Sequence, residues 1–326
     1  MQLEALILGL LVEADGDWVS GQYLCGKLDL SRAQVLARID SLRLVGFPIH
    51  ASPGRGYRLE GFPDSLGQQQ VDPLLATVDL GRWLKVHDEL DSTNDEAHRL
   101  ADAGAAHGTV VTAEPQTKGR GRRGRAWVSP PGKNLAMSVV LRPKLPPARA
   151  SELSIVAAVA VCEAARELGA EHAKVKWPND IECEGKKLAG LLAELRMAGD
   201  EVSHVVLGIG LNVNLAPEDL PEELRPLATS LSMERGEPVA RSLACARVLG
   251  ALEDWLEVHE LQGFEPVRER WKELSSTLGR RVRVEGNHAL EGEAVDLEPD
   301  GALSVLVGEG QRVRVVAGDV EHLRTV

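Results

Sequence analysis

The chain has 326 residues, 44% of them apolar, which at ~110 to 160 residues per domain supports two or three domains with real cores. Lys and Arg number 37 against 49 Asp and Glu, a net charge of −12, which excludes a non-specific nucleic-acid binder and leaves any DNA contact to local patches. Cys25, Cys162, Cys183 and Cys245 form neither a C-x-x-C pair nor a His/Cys cluster, so neither a zinc site nor a disulfide framework is expected.

Free thiols suit a reducing compartment. The amino terminus lacks a basic leader, and no stretch approaches the ~20 apolar residues of a membrane span, so the chain reads as soluble and cytoplasmic with no membrane partner.

Residues 1–64 open with Leu3, Leu6, Ile7 and Leu10 at helical spacing. Ser20 to Leu24 begins a second helix, and Ser31 with Gln34 has capping-box spacing for a third, along which Val35, Ile39 and Leu42 share a face. This is a helix-turn-helix with Ser31, Arg32, Gln34, Arg38 and Arg43 outward. Phe47 to His50 and Gly56 to Leu59 then flank Ser52-Pro53-Gly54 as a two-stranded wing carrying Arg55. A solvated helical domain is the bland alternative, and the wing favours DNA. Residues 1–61 hold six basic residues (Lys27, Arg32, Arg38, Arg43, Arg55, Arg58) and seven acidic ones (Glu4, Glu13, Asp15, Asp17, Asp29, Asp40, Glu60). One copy should therefore bind DNA weakly.

Pro63 to Leu80, rich in Gln, Asp, Gly and Pro, reads as a linker. Across residues 70–275, strand-like runs at Thr109–Thr112, Leu135–Leu141, Lys174–Trp177, Leu188–Leu195 and Val205–Val213 alternate with helical stretches, the clearest being Ser151–Leu168 before Gly169. Consecutive strands with few helices between them argue for an α+β domain with a mixed sheet. Residues 278–326 have short alternating runs at Val282/Val284, Leu303/Val305/Val307 and Val313/Val315, with turns at Pro299-Asp300-Gly301 and Gly308-Glu309-Gly310, and read as a small β-barrel.

The most informative stretch is Gln116 to Trp127, where Lys118, Arg120, Arg122, Arg123 and Arg125 interleave with Gly119, Gly121 and Gly124. Its formal G-x-G-x-x-G is not a dinucleotide motif, because Ser129-Pro130-Pro131-Gly132 forbids the helix that must follow. Gly21 to Lys27 imitates a P-loop, but Leu28 stands where a magnesium-binding hydroxyl is needed. The Arg/Gly stretch remains either a solvated basic loop or a flexible loop gripping phosphate and carboxylate oxygens.

Lys176-Trp177-Pro178-Asn179-Asp180-Ile181 and Lys186 to Leu191 look like paired strands about a Glu184-Gly185 turn, bringing Asn179, Asp180 and Lys187 together; each could equally be turn or surface. Ser92 and Asp95 have capping spacing around Thr93 and Asn94, which marks either a plain helix start or an anion-binding one. Asn212 in Gly208 to Asn214 is otherwise an edge-strand amide.

These constellations, in this order, resemble the biotin-protein ligase family, and the amino-terminal domain resembles the winged helix of its bifunctional, repressor-type members. The resemblance implies a central domain of the biotin/lipoate-ligase (class II synthetase-like) type and a carboxy-terminal SH3-like barrel. It implies biotinyl-adenylate formation from biotin and ATP with Mg2+ held through phosphates and water, then transfer to a lysine of a biotin carboxyl carrier protein domain. Biotin contacts would fall to Ser92, Thr93, Asn94, Gln116, Gly119, Arg120, Gly121, Arg122, Trp127, Lys187 and Gly190. Arg120, Arg122, Arg125, Asn179, Lys187 and Asn212 would hold ATP. Arg122 and Lys187 are the catalytic charges, and Asp180 is the candidate acceptor for the proton of the carrier lysine.

Family members commonly close an aromatic residue over adenine, but Leu215 to Asp254 contains no Phe, Tyr or Trp, so Leu220, Leu224 or Leu227 must serve. Operator DNA and a homodimer driven by adenylate are the further expected partners. A lipoate or octanoate transferase, a biotin-binding regulator without catalysis, and a ligase with an idle amino-terminal domain stay open as alternatives.

Overall fold

The computed structural model describes residues 3–285, 289–308, 310–316 and 318–323. Helices α1 (Leu3–Glu13), α2 (Gly21–Leu28) and α3 (Arg32–Leu44) precede the hairpin β1 (Ile49–Ser52) and β2 (Gly56–Leu59). Ser31 caps α3 as its spacing predicts: its hydroxyl accepts from Gln34 N at 3.3 Å while Gln34 Oε1 accepts from Ser31 N at 2.9 Å. The buried face of α1 is Ile7, Leu8 and Leu11, one position round from the expected stripe, and packs on Leu24, Val35, Ile39 and Leu42.

The expected linker is packed structure. It contains α4 (Gln68–Val71) and a 3-10 turn at Asp72–Leu74, and its Leu66, Val71, Leu75 and Leu80 enter the central core. Composition misled here because the apolar residues are spaced among Gln, Asp and Gly rather than clustered.

The central elements are β3 (Leu84–His87), α5 (Thr93–Asp102), β4 (Val110–Ala113), β5 (Asn134–Leu141), α6 (Glu152–Glu167), β6 (Ala173–Lys176), β7 (Asp180–Cys183), β8 (Lys186–Ala198), β9 (Glu201–Asn212), α7 (Leu231–Arg235), α8 (Arg241–Gln262) and α9 (Phe264–Leu274). The strands form a mixed sheet in the order β3-β4-β5-β9-β8-β7-β6, with β3 and β4 parallel and the other pairs antiparallel. Helix α6 ends where expected, with Gly169 at φ +106° just beyond it. Helices α6, α8 and α9 cover one face of the sheet, meeting Val205, Leu207, Ile209 and Leu211 of β9. Helix α5 lies on the other face, against Val111, Val140 and Val206. No helix among the described residues is long and apolar enough to cross a membrane.

Strands β10 (Arg281–Glu285), β11 (Leu290–Leu297), β12 (Leu303–Val307), β13 (Gln311–Val315) and β14 (Asp319–His322) form an antiparallel sheet in the order β13-β12-β11-β10-β14. This antiparallel order, with β14 returning beside β10, is consistent with a small barrel. Asp300 and Gly301 make the first expected turn, while Glu309 of the second lies outside the described residues.

Candidate functional site

Successive residues of a strand point to opposite faces, so β9 sorts itself. Its odd-numbered members are the core residues above, and its even-numbered members on the α5 side are Val206, Gly208, Gly210 and Asn212. The pairings Asp180↔Gly190 and Gly190↔Gly210 carry that face across β7 and β8. Three glycines thus leave a floor without side chains, and the space above it is a cavity of about 380 Å³.

The walls are built around this floor. The Trp127 ring lies over Gly210 and Gly190: a Cβ on Gly210 would stand within 3 Å of the indole, and one on Gly190 3.3 Å from it. Thr93 N donates to Gln116 Oε1 at 2.8 Å, so Gln116, not Ser92, satisfies the start of α5; Ser92 makes no capping bond. Ser138, a lone hydroxyl in the apolar run of β5, donates within hydrogen-bond reach of Thr93 Oγ1 (2.7 Å) and Asn94 Oδ1 (2.6 Å). Asn94 Nδ2 in turn donates to Glu194 at 2.6 Å.

Lys187 reaches the cavity through a β-bulge. Ile181 pairs with Ala189 but the next residue, Glu182, pairs with Lys187, so Leu188 is an extra residue on β8. Regular alternation would place Lys187 on the face opposite Gly190; the bulge returns it to the same face. Its Nζ lies 2.7 Å from Asp180 Oδ1 and 5.7 Å from the Trp127 ring centroid.

The arginine loop folds back on itself, with Trp127 N donating to Gly119 O (2.9 Å), Gly121 N to Arg125 O (2.7 Å), and Arg123 left-handed at φ +54°. Arg120 grips Asp95 with both terminal nitrogens, at 3.0 and 2.5 Å. Arg122 donates to Asn179 Oδ1 (3.4 Å) and Gly318 O (3.2 Å); burial pulls its pKa down, with Asp319 opposing. Arg123 and Arg125 both pair with the Asp319 carboxylate, the former at 3.2 Å.

Every expected site residue of the central domain lines the cavity except Gly119, which is buried behind it against Trp127. Asn212 is not an edge amide: β9 lies between β5 and β8, and Asn212 Nδ2 donates to Thr229 O at 2.9 Å. Leu220, Leu224 and Leu227 line the cavity with Leu215 and Ala228, and Lys187 N holds Leu227 O at 2.8 Å. Sequence reading missed Ser138, Glu194 and Asp319. A single hydroxyl amid Leu135 to Leu141 was a usable signal for the first, whereas nothing local marks Asp319, nearly 200 residues from its arginines.

On the winged helix, Ser31, Arg32, Gln34 and Arg55 are exposed, with Arg55 stacked 4.5 Å over Trp18. Two of the outward arginines are drawn back instead. Arg38 pairs with Glu4 at 2.9 Å, and Arg43 donates to Ile49 O at 2.8 Å.

Comparison with known proteins fits this architecture. Residues 86–212 match the Biotin/lipoate A/B protein ligase family, residues 4–58 an HTH domain, and residues 277–323 the Biotin protein ligase C terminal domain. The bifunctional ligase/repressor BirA of Bacillus subtilis is 35% identical over 316 residues, 97% of each chain. The chain belongs to the BirA bifunctional ligase/repressor family. The Escherichia coli BirA is 33% identical over 89% of this chain and 88% of its own. The biotin protein ligase of Aquifex aeolicus in complex with biotin and ATP superposes with a TM-score of 0.65 at 30% identity, covering 75% of this chain and 100% of that one. The BirA relatives match 89 to 97% of this chain, whereas the biotin--[acetyl-CoA-carboxylase] ligases of Mycobacterium tuberculosis and Paracoccus denitrificans match 78% and 71% of it.

Proposed function

We propose that the chain is an ATP-dependent biotin-protein ligase that also acts as a biotin-dependent repressor of biotin synthesis genes, organised as residues 1–64 for DNA, 70–275 for biotin and ATP, and 278–326 as an SH3-like barrel. The observation that carries the enzymatic reading is the convergence of Arg122, Lys187, Asn179 and Asp180 on one cavity whose floor is three glycines. Joining a carboxylate to a polyphosphate needs dense positive charge held in place beforehand.

Ser92, Thr93, Asn94, Gln116, Trp127 and Gly190 receive biotin, with Arg120 and Gly121 closing over it and Gly119 seating Trp127. Arg122 and Lys187 neutralise the biotin carboxylate and α-phosphate as they meet. Arg125, Asn179 and Asn212 hold the nucleotide, and Leu215, Leu220, Leu224 and Leu227 pack on adenine in place of an aromatic lid. Magnesium would be held through the substrate phosphates and water rather than by protein carboxylates, and would supply further neutralisation of phosphate charge. Asp180 takes the proton of the incoming carrier lysine. Free Cys25, Cys162, Cys183 and Cys245 agree with a cytoplasmic setting.

The decisive experiment is incubation with biotin and ATP, reading biotinyl-adenylate and pyrophosphate, with octanoate as the control for lipoyl-type activity. Failure to make the adenylate, or equal use of octanoate, rejects the ligase reading.

Repression requires two copies. The exposed basic residues of one winged helix are too few to hold DNA at physiological salt, and pairing makes the second contact intramolecular, a gain of ~100 to 10,000-fold. Strand β8 offers the surface: β7 covers only its Lys186–Gly190 end, and beyond Leu191 its outer edge has no strand partner among the described residues, with Leu195 and Met197 exposed. Adenylate drives the pairing by ordering the glycine-rich loop. Sedimentation and operator binding without ligand, with biotin, and with biotin plus ATP test this; identical mass and affinity in all three would leave a ligase with an idle amino-terminal domain.

A further inference from the structure

One buried side chain joins three parts of the chain that are far apart in sequence. Arg241, the first residue of α8, is 5% exposed. Its Nη1 donates to Glu114 Oε1 at 2.5 Å, its Nε to Asp64 Oδ2 at 3.0 Å, and its backbone N–H to Asp64 Oδ1 at 3.0 Å. The neighbouring Ser242 hydroxyl donates to the Pro63 carbonyl. Burial works against the cation, but the hydrogen bonds it donates to Glu114 and Asp64, with their negative charge, outweigh it and raise the Arg241 pKa.

Each carboxylate leads to a different functional region. Glu114 Oε2 accepts Gly132 N at 3.0 Å, closing the base of the segment that carries the arginine loop, and two residues on from Glu114 lies Gln116, bonded to Thr93 in the cavity. Asp64 follows the wing. Beside it, Pro63 approaches Gly46 just past α3, and Gln70 Nε2 donates to the carbonyl of Val45, the C-cap of α3, at 3.1 Å. The carboxyl end of the DNA-facing helix and the base of the ligand loop are therefore both tied, within a few residues, to the same guanidinium.

We propose that Arg241 is a positioning residue coupling the ligand loop to the DNA-reading domain: when the loop orders around the acyl-adenylate, the shift of Glu114 passes through the guanidinium to Asp64 and the segment that holds α3. This rests on the reading of the protein as a ligand-controlled DNA-binding ligase and assigns the regulation of that site. A buried guanidinium that loses one carboxylate leaves charge unpaired at low dielectric, so the three groups move together where an apolar contact would slip. Linkage makes the effect reciprocal, so bound DNA must tighten adenylate by the factor by which adenylate tightens DNA.

The test uses the full chain carrying Asp64→Ala, with Asp64→Glu as the conservative variant; the Asp64 side chain is 51% exposed and outside the cavity. The DNA probe is a duplex selected by the wild-type protein in the presence of biotin and ATP. Measured are the single-turnover adenylation rate, DNA affinity with and without biotinyl-adenylate, and equilibrium affinity for adenylate with and without DNA. In Asp64→Ala, adenylation stays within about twofold of wild type, while the ligand-dependent ratio of DNA affinities falls by about tenfold and the DNA-dependent ratio of adenylate affinities falls by the same factor, within the range typical of coupled sites. Asp64→Glu restores both. A purely structural role would weaken DNA binding equally with and without adenylate; an unchanged ratio therefore overturns the proposal. If wild type itself shows no ligand dependence, the regulatory reading falls and takes this proposal with it, an outcome distinct from a wild-type ratio retained in Asp64→Ala.

Discussion

Lys187 and Asp180 stand on adjacent strands with Nζ and Oδ1 2.7 Å apart, so the charge assigned to adenylation and the carboxylate assigned to transfer form one ion pair. Each therefore fixes the position of the other, and the effects of replacing them will not add.

Lys187→Ala is expected to slow single-turnover adenylation by about 100 to 1000-fold, the usual cost of removing a charge-stabilising group from the reacting centre, while biotin affinity changes far less. The variant also leaves Asp180 unpaired beside the phosphate path. Adding Asp180→Asn to it should restore part of the lost rate, and an unchanged adenylation rate in Lys187→Ala would reject its role.

Asp180→Asn alone should impair transfer to the carrier more than adenylation, because only transfer needs a proton acceptor for the lysine. Equal losses in the two half-reactions would show that its contribution runs through Lys187 alone.

Arg122→Gly removes a half-buried guanidinium that ties the loop to Asn179 and to Gly318 of the carboxy-terminal sheet. The loosened loop should release adenylate faster and label bystander lysines indiscriminately. Retention of adenylate for as long as wild type would refute enclosure by this residue.

Two glycines should respond in opposite ways to alanine. Gly210→Ala drives a methyl into the Trp127 ring and is expected to raise the KM for biotin at least tenfold. Gly250, inside α8 with nothing within 4 Å of a built Cβ, should instead gain roughly 0.5 to 1 kcal/mol of stability as alanine. Denaturant melts and biotin titrations of both variants separate the effects.

Acid should loosen the carboxy-terminal sheet. Burial first, then Lys176 and Arg280, push His322 down to about 4, while its Nε2 lies 3.3 Å from Thr277 Oγ1, which itself accepts from Trp177 N. Because the folded value lies below the ordinary histidine value of 6.5, stability is full above about pH 6.5 and is lost as pH falls toward 4. Between pH 7 and pH 5 the loss attributable to this residue is roughly 2 kcal/mol. His322→Asn should flatten that part of the urea-midpoint profile, leaving the shares of His98 and His204, whose pKa values burial also lowers.

What the sequence determined was local. The capping box at Ser31 and Gln34, the Gly169 helix stop and the alternation of Val205 to Asn212 follow from hydrogen bonding and periodicity within a few residues, so they were legible without a fold. The arginine loop and the pairing of Asn179, Asp180 and Lys187 were legible as motifs. Tertiary structure decided the rest. The bulge at Leu188 reverses the face that alternation gives Lys187, and it exists only because β7 and β8 pair in that register. Asp319 meets Arg123 and Arg125 only because the carboxy-terminal sheet docks beside the loop. Asp64 and Glu114 meet at the buried Arg241 because a guanidinium removed from water recruits carboxylates by proximity in space, and spacing along the chain carries no trace of that.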